Sequence, residues 1–268
     1  MQLRNSTAIL TGASRGIGVV LAEHLARKGV NLALAARSEA DLEKTAERVR
    51  VYGVRAITVP TDVQSNTALQ NLVDRATAEL GPIDLLVNNA GIENYRRFHE
   101  FDPSEIEDIL RTNVIAVELL TRFALPGMVK RRKGHIVNIS SAAGKTAVPY
   151  NTVYSSSKHA VVGFSWSLRE ELKPLGIGVS VVCPGFVSDT GMAFSWMKGT
   201  KAPKVAGMVS PEKVAEETIE AIEKNKAEVI VSGGLGKIVD VFHAISPAMT
   251  TTIARRSGLY DYLEKQTR

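Results

Sequence analysis

The chain has 268 residues, 44% hydrophobic and 23% charged, with 21 glycines and 10 prolines, which excludes a disordered, collagen-like or disulfide-scaffold protein and allows one large α/β domain. Its 33 Lys and Arg against 28 Asp and Glu leave a net charge of +5, a mild excess that favours a small anionic ligand over nucleic acid. The densest basic run, Lys130 to Lys133, reads as a helix C-terminus complementing its dipole rather than as a DNA-binding patch.

In chain order, short apolar or β-branched runs alternate with longer stretches of helical period. Strands are predicted at Ser6 to Thr11, Asn31 to Ala36, Arg55 to Val59, Ile83 to Asn88, His135 to Ser140 and Gly178 to Cys183, with a seventh at Glu228 to Ser232. This alternation is the pattern of βα units around a parallel sheet buried on both faces. Gly16 to Lys28 is a helix with Val20, Leu21 and Leu25 on one stripe. Asp102, Pro103 and Glu105 supply an N-cap, a first-turn proline and an acid at the third position. A helix therefore starts there and runs to about Val129, kinked or frayed near its end by Pro126. No repeat, low-complexity linker or change of composition divides the chain, so 1–268 is read as a single domain.

Cys183 is the only cysteine, which rules out an internal disulfide and cysteine-based metal ligation and fits a reducing compartment. The histidines show no His-x-x-x-His spacing, so no metal is expected. No uninterrupted apolar run approaches the roughly 18 residues of a membrane span, and no secretory leader is evident, so a cytoplasmic location is expected.

Gly12, Ser14, Arg15, Gly16, Ile17 and Gly18 lie where the first strand hands over to the first helix. There, backbone N–H groups and the helix dipole can hold a pyrophosphate. The spacing Gly-x-x-x-Gly-x-Gly departs from the general dinucleotide fingerprint, so the loop marks a nucleotide site without naming its family. Asn88-Asn89-Ala90-Gly91 follows the fourth strand, Ser141 stands thirteen residues before Tyr154, Tyr154-x-x-x-Lys158 follows, and Pro184-Gly185 closes the sixth strand. Together these motifs resemble the short-chain dehydrogenase/reductase family, in its shorter single-domain subgroup, across roughly residues 4 to 235. The resemblance implies a Rossmann-type, doubly wound parallel sheet of about seven strands with helices on both faces.

Tyr154 and Lys158 are four apart on a predicted helix and share a face. A free phenol titrates near about 10, and a neighbouring ammonium favours its ionised form, so Tyr154 is the expected general acid/base. Ser141, at the end of the fifth strand, faces the crevice where such sheets bind ligands and can hydrogen-bond a substrate oxygen. Ser140 is a neighbouring candidate, and only the family spacing selects Ser141. The resemblance adds that Lys158 also holds the nicotinamide ribose and that Asn113 positions a water in a proton relay. It also places Asp62 and Val63 at the adenine, and Asn88, Ala90, Gly91, Pro184, Gly185 and Val187 around the rest of the cofactor.

An acid at the end of the second strand would take the ribose 2′-OH of NAD. Here Ala36 is followed by Arg37, and Arg15 is the second cation in reach, so NADP(H) is expected. Where relatives commonly place Thr five residues beyond the proline, this chain has Asp189. Residues 190–209, with Met192, Phe194, Trp196 and Met197, read either as a mobile substrate lid with an apolar inner surface or as a structural excursion. A helical tail over about 236–264 has Ile238, Phe242 and Ile245 at helical spacing and is read by default as packing on the core, with closure over the substrate, dimerisation or a membrane surface as the alternatives.

The expectation is an NADP(H)-dependent oxidoreductase transferring hydride to or from a small-molecule carbonyl/alcohol substrate, lipophilic by the apolar character of the lid. The alternatives are an NAD-dependent alcohol dehydrogenase and a catalytically idle NADP-binding interaction protein. By family resemblance, helices beginning near Asp102 and Thr152 pair in a homodimer or homotetramer, with Ile109, Val117, Leu120, Phe164 and Leu168 expected at the contact.

Overall fold

The computed structural model describes residues 1–188, 208–233, 243 and 245–267. Seven strands form one sheet in the order β3-β2-β1-β4-β5-β6-β7, every neighbouring pair parallel. They are β1 (Thr7–Thr11), β2 (Asn31–Ala36), β3 (Ala56–Pro60), β4 (Leu85–Asn88), β5 (Gly134–Ile139), β6 (Ile177–Pro184) and β7 (Glu228–Val231). Each lies within two residues of its expected place, because uninterrupted apolar runs are what a sheet covered on both faces requires.

Successive side chains of β1 show the two faces. Ala8 and Leu10 pack with α1 (Ile17–Arg27), α2 (Glu39–Arg50) and α7 (Pro211–Glu223), while Ile9 packs on the opposite side. That second layer is α3 (Asn66–Leu80), α5 (Ala116–Arg131) and α6 (Thr152–Leu172). Short polar side chains start several of these helices: Ser38 Oγ accepts from Asp41 N at 3.3 Å and Ser65 Oγ from Ala68 N at 3.3 Å, satisfying amides that no helical carbonyl reaches.

The helix expected from Asp102 begins as α4 (Pro103–Leu110), with the Asp102 amide donating to Glu105 Oε2 at 3.1 Å. It passes through one π-helical turn, Arg111–Ile115, and continues as α5. Pro126 does not end it: the chain stays helical to Arg131 and stops where Arg132 adopts φ 52°. The run Pro103–Arg131 has the length and mean hydropathy, 1.2, of a possible membrane span. Its apolar residues Ala116, Leu120, Ala124 and Met128 are instead packed into the core beneath the sheet.

That packing also corrects the expected contact between copies. Ile109, Val117, Leu120 and Leu168 are 2%, 7%, 1% and 9% exposed, and Phe164 packs partly against the same core. Helical period reveals a stripe but not what covers it: here Leu120 and Leu168 lie in the core beneath the sheet, and Ile109 packs with Phe101 and Val153.

The tail forms α8 (Pro247–Arg256) and α9 (Leu259–Glu264), separated at Gly258, whose φ of 76° breaks the helix. Core packing holds for Leu263, 1% exposed, but not for Ile245, 76% exposed. Asp189, the proposed lid through residue 207, Ile238 and Phe242 lie outside the described residues.

His135, at the base of β5, is 1% exposed, with Nε2 2.9 Å from Ser180 Oγ. Burial pushes its pKa down from 6.5 to about 3. The unfolded chain therefore takes up a proton that the folded chain refuses. Stability falls as pH drops from about 6.5 towards 3, by at most about 1.4 kcal/mol per pH unit. Urea unfolding at pH 7 and pH 5 should show a loss of about 2 kcal/mol in the wild type that His135→Asn lacks; parallel pH dependences would show that His135 is not responsible.

Candidate active site

The strand order reverses between β1 and β4, and parallel sheets bind ligands outside the strand ends at such a point. A crevice lies there, lined by Thr11, Val63, Asn88, Ala90, Thr112 and Val117. The glycine loop follows directly on Thr11, one of its lining residues. Gly12 and Gly16 take φ of 66° and 61°, and a Cβ on Gly18 would stand 2.0 Å from the Gly12 carbonyl oxygen, so the loop tolerates no side chain at these turns. Ser14 and Ile17 are half-buried in it. The first turn of α1 has neither a side-chain cap nor an acid, so no side chain competes with an anion for its amides.

Asn89 was not singled out from sequence, yet it staples the loop to β4. Its amide donates to the Thr11 and Gly12 carbonyls at 2.9 and 3.2 Å, while Thr11 Oγ1 accepts from the amides of Asn89 and Ala90, each at 3.0 Å. The doubled asparagine was the available signal. Asn88 faces the other way: its amide donates to Asn138 Oδ1 at 2.8 Å and Thr121 Oγ1 at 3.2 Å. Its side chain ties β4 to β5 and α5, so only its backbone is left for a cofactor.

Arg37 follows β2 and Arg15 sits in the glycine loop; both are exposed, and neither makes an ion pair among the described residues. Asp62 Oδ1 caps its own turn, accepting from Gln64 N at 3.0 Å, and Val63 packs partly beneath it. Pro184 and Gly185 extend the sheet's edge, the Gly185 amide donating to Val231 O at 2.8 Å. Val187 is buried and bridges Val209: the Ser188 amide donates to Val209 O and the Val209 amide to Phe186 O, both at 2.9 Å.

Beyond the crevice, α6 brings Tyr154 and Lys158 against the end of β5. Both are buried, at 7% and 3% exposed, with the Lys158 ammonium 5.5 Å from the Tyr154 ring centre. Lys158 Nζ donates to Ile139 O at 2.9 Å. Ser141 hydrogen-bonds the Tyr154 phenol and so favours its ionised form. Ser140 points away, donating to Lys158 O at 2.9 Å, and serves to fix α6 to β5. Of the two neighbouring serines, Ser141 is the one beside the Tyr154 phenol.

Asn113 lies in the π-helical turn, fully buried. Its amide donates to Ile92 O at 2.8 Å and to Ser157 Oγ at 3.0 Å, and its Oδ1 accepts from Ile92 N at 2.9 Å. A Cβ on Gly91 would stand 3.2 Å from Asn113 Oδ1 and 3.5 Å from Lys158 Nζ, so Gly91 leaves room beside both groups.

Burial pulls Lys158 down from 10.5 to about 8, so it is still a cation at neutral pH. Burial raises the Tyr154 phenol above its ordinary range, and the Glu93 carboxylate reinforces this. Burial outweighs the expected lowering by Lys158, so Tyr154 keeps its proton at neutral pH. Glu93 was missed in the sequence; it accepts from Asn151 Nδ2 at 3.1 Å beside the start of α6.

The short chain dehydrogenase family model matches residues 6–201. Ketoacyl reductase HetN of Nostoc sp. is 40% identical over 98% of this chain and 93% of its own length. The 3-oxoacyl-acyl-carrier-protein reductase FabG of Haemophilus influenzae is 37% identical over 69% of this chain and 76% of its own. The crystal structure of an actinorhodin polyketide ketoreductase variant with NADPH superposes with a TM-score of 0.81 at 34% identity, covering 88% of this chain and 98% of that one. The chain belongs to the short-chain dehydrogenase/reductase family. It is an oxidoreductase of the class that uses a nicotinamide cofactor on a carbonyl or alcohol group.

Proposed function

We propose that the chain is an NADP(H)-dependent reductase of ketoacyl or similarly apolar carbonyl substrates. The observation that carries this reading is the convergence of Ser141, Tyr154, Lys158 and Asn113 at one end of the sheet, beside a glycine loop and an uncapped helix that fit a dinucleotide. Gly12, Gly16 and Gly18 would let the backbone approach the pyrophosphate, and Arg15 and Arg37 would meet a 2′-phosphate. When bound, the nicotinamide supplies the hydride that reaches the carbonyl carbon.

The chain's own groups handle the oxygen. Ser141 donates a hydrogen bond that holds it, and Tyr154, which keeps its proton at neutral pH, delivers that proton as charge gathers there. Lys158, a cation below about pH 8, stabilises the phenolate left behind and holds the ribose. Asn113, fixed at Ile92, orients a water that returns a proton to the site. Relatives named as ketoacyl reductases support this substrate class; an apolar lid over 190–209 is part of the same proposal. A symmetric dimer or tetramer would use outward residues of the helical layer such as Ile115 and Trp166, 41% and 46% exposed.

NADPH oxidation measured over a graded series of β-ketoacyl thioesters and polyhydroxylated ketones tests the reading. Each buried methylene contributes up to about 0.8 kcal/mol, so kcat/KM should climb up to about fourfold per carbon until the pocket is filled. A flat series, or preference for the polyhydroxylated ketones, refutes the apolar substrate.

A further inference from the structure

A surface helix ordinarily turns its apolar stripe inward and its polar face to water. α8 is inverted. Thr250 is its buried residue, its hydroxyl 2.7 Å from His243 Nδ1 and donating to the Pro247 carbonyl at 3.0 Å. Meanwhile Ile245, just ahead of the helix, Met249 and Ile253 are 76%, 47% and 44% exposed. Their spacing of four places them along one side. Arg256 falls on that side, three residues beyond Ile253, with Arg255 adjoining; both are exposed. From Ile245 to Tyr260 the sequence contains no Asp or Glu, and neither arginine forms an ion pair among the described residues.

We propose that this face is a membrane-contact surface on which α8 lies along the headgroups of an anionic lipid bilayer. Ile245, Met249 and Ile253 enter the acyl boundary, while Arg255 and Arg256 extend their charged ends to lipid phosphates. Charge selects this occupant over a second copy of the chain. A two-fold mate would present the same stripe, which carries no carboxylate for the arginines. Three large side chains also fall well short of the roughly 800 Å² that each partner contributes to a stable interface.

The position of the helix gives the contact a use. α9 follows α8 directly and reaches the loop beside the candidate site: Arg97 Nη2 is 2.6 Å from Glu264 Oε1, and Tyr262 neighbours Tyr95, which itself neighbours Tyr154. α9 thus joins the helix that would lie on the bilayer to residues beside Tyr154, so a bilayer there could deliver apolar substrates from lipid rather than from water. The surface itself does not depend on the assigned chemistry.

Co-sedimentation of the full chain with vesicles tests this. Phosphatidylserine-rich vesicles should be bound at least about tenfold more tightly than pure phosphatidylcholine, since each arginine near the surface contributes about 1 kcal/mol, and raising salt from about 0.1 to 0.5 M should weaken binding. Met249→Asp with Ile253→Asp, and separately Arg255→Gln with Arg256→Gln, should each abolish the difference while leaving thermal unfolding unchanged, because all four side chains are exposed. Equal binding to both vesicles, or variants that bind as the wild type does, overturns the proposal. So does a wild type that ignores lipid while the Met249→Asp, Ile253→Asp variant loses a higher oligomer in light scattering, which would assign the face to a contact between copies.

Discussion

Tyr154→Phe should lower turnover by about a hundredfold or more while leaving cofactor affinity nearly unchanged. The substitution keeps the ring that fills this buried position and removes only the hydroxyl that Ser141 contacts and that holds the transferable proton. Cofactor contacts proposed for the glycine loop and Lys158 survive it, so the loss belongs in kcat. The wild-type pH profile provides a second reading. Lys158 carries its charge below its pKa of about 8, so reduction should hold steady on the acid side and decline as pH rises through that value, where the phenolate loses its counter-charge. Near-normal turnover by Tyr154→Phe would remove the proposed proton donor.

The second large effect is expected at the other end of the crevice. A charge-assisted hydrogen bond to a 2′-phosphate contributes about 1.5 to 3 kcal/mol, and Asp in its place adds repulsion, so Arg37→Asp should weaken NADPH binding by at least about tenfold. NADH affinity should hold or improve, because a carboxylate at the end of β2 can accept from the free ribose 2′-OH. The variant disturbs nothing else: Arg37 is exposed and ties down no neighbouring element among the described residues. Fluorescence titration with both cofactors measures the change. Equal weakening of the two would mean that Arg37 supports the loop instead of reading the phosphate.

The strands were legible because a doubly covered sheet imposes apolar runs that nothing else in the chain imitates, and β2 coincides with its expected span residue for residue. The glycine loop and the Tyr154–Lys158 pair were legible because each depends on local spacing. What sequence withheld was orientation. Asn88 and Asn89 are adjacent and chemically identical, but strand alternation sends one amide into the core and the other to the loop. Ser140 and Ser141 divide in the same way, one bonded to the Lys158 carbonyl and the other to the phenol. The π-helical turn at Arg111–Ile115 has no local signature: long-range bonds from Asn113 to Ile92 and Ser157 support it, and a window along the helix contains neither partner. Leu120 and Leu168, expected between two copies, are packed beneath the chain's own sheet, since period alone does not distinguish a stripe covered by a sheet from one covered by a neighbour.

The bridge between Val187 and Val209 means that the segment between them departs from and returns to a single point on the rim of the sheet. Closing a loop across a fixed gap costs only about 0.6 kcal/mol more each time its length doubles. The frame therefore sets almost no limit on the size or composition of what is inserted there. On the proposed role of 190–209 as a substrate lid, a segment transplanted from another reductase at these two valines would bring its preference with it, while the proposed proton donor and glycine loop, built from other strands, would stay as they are.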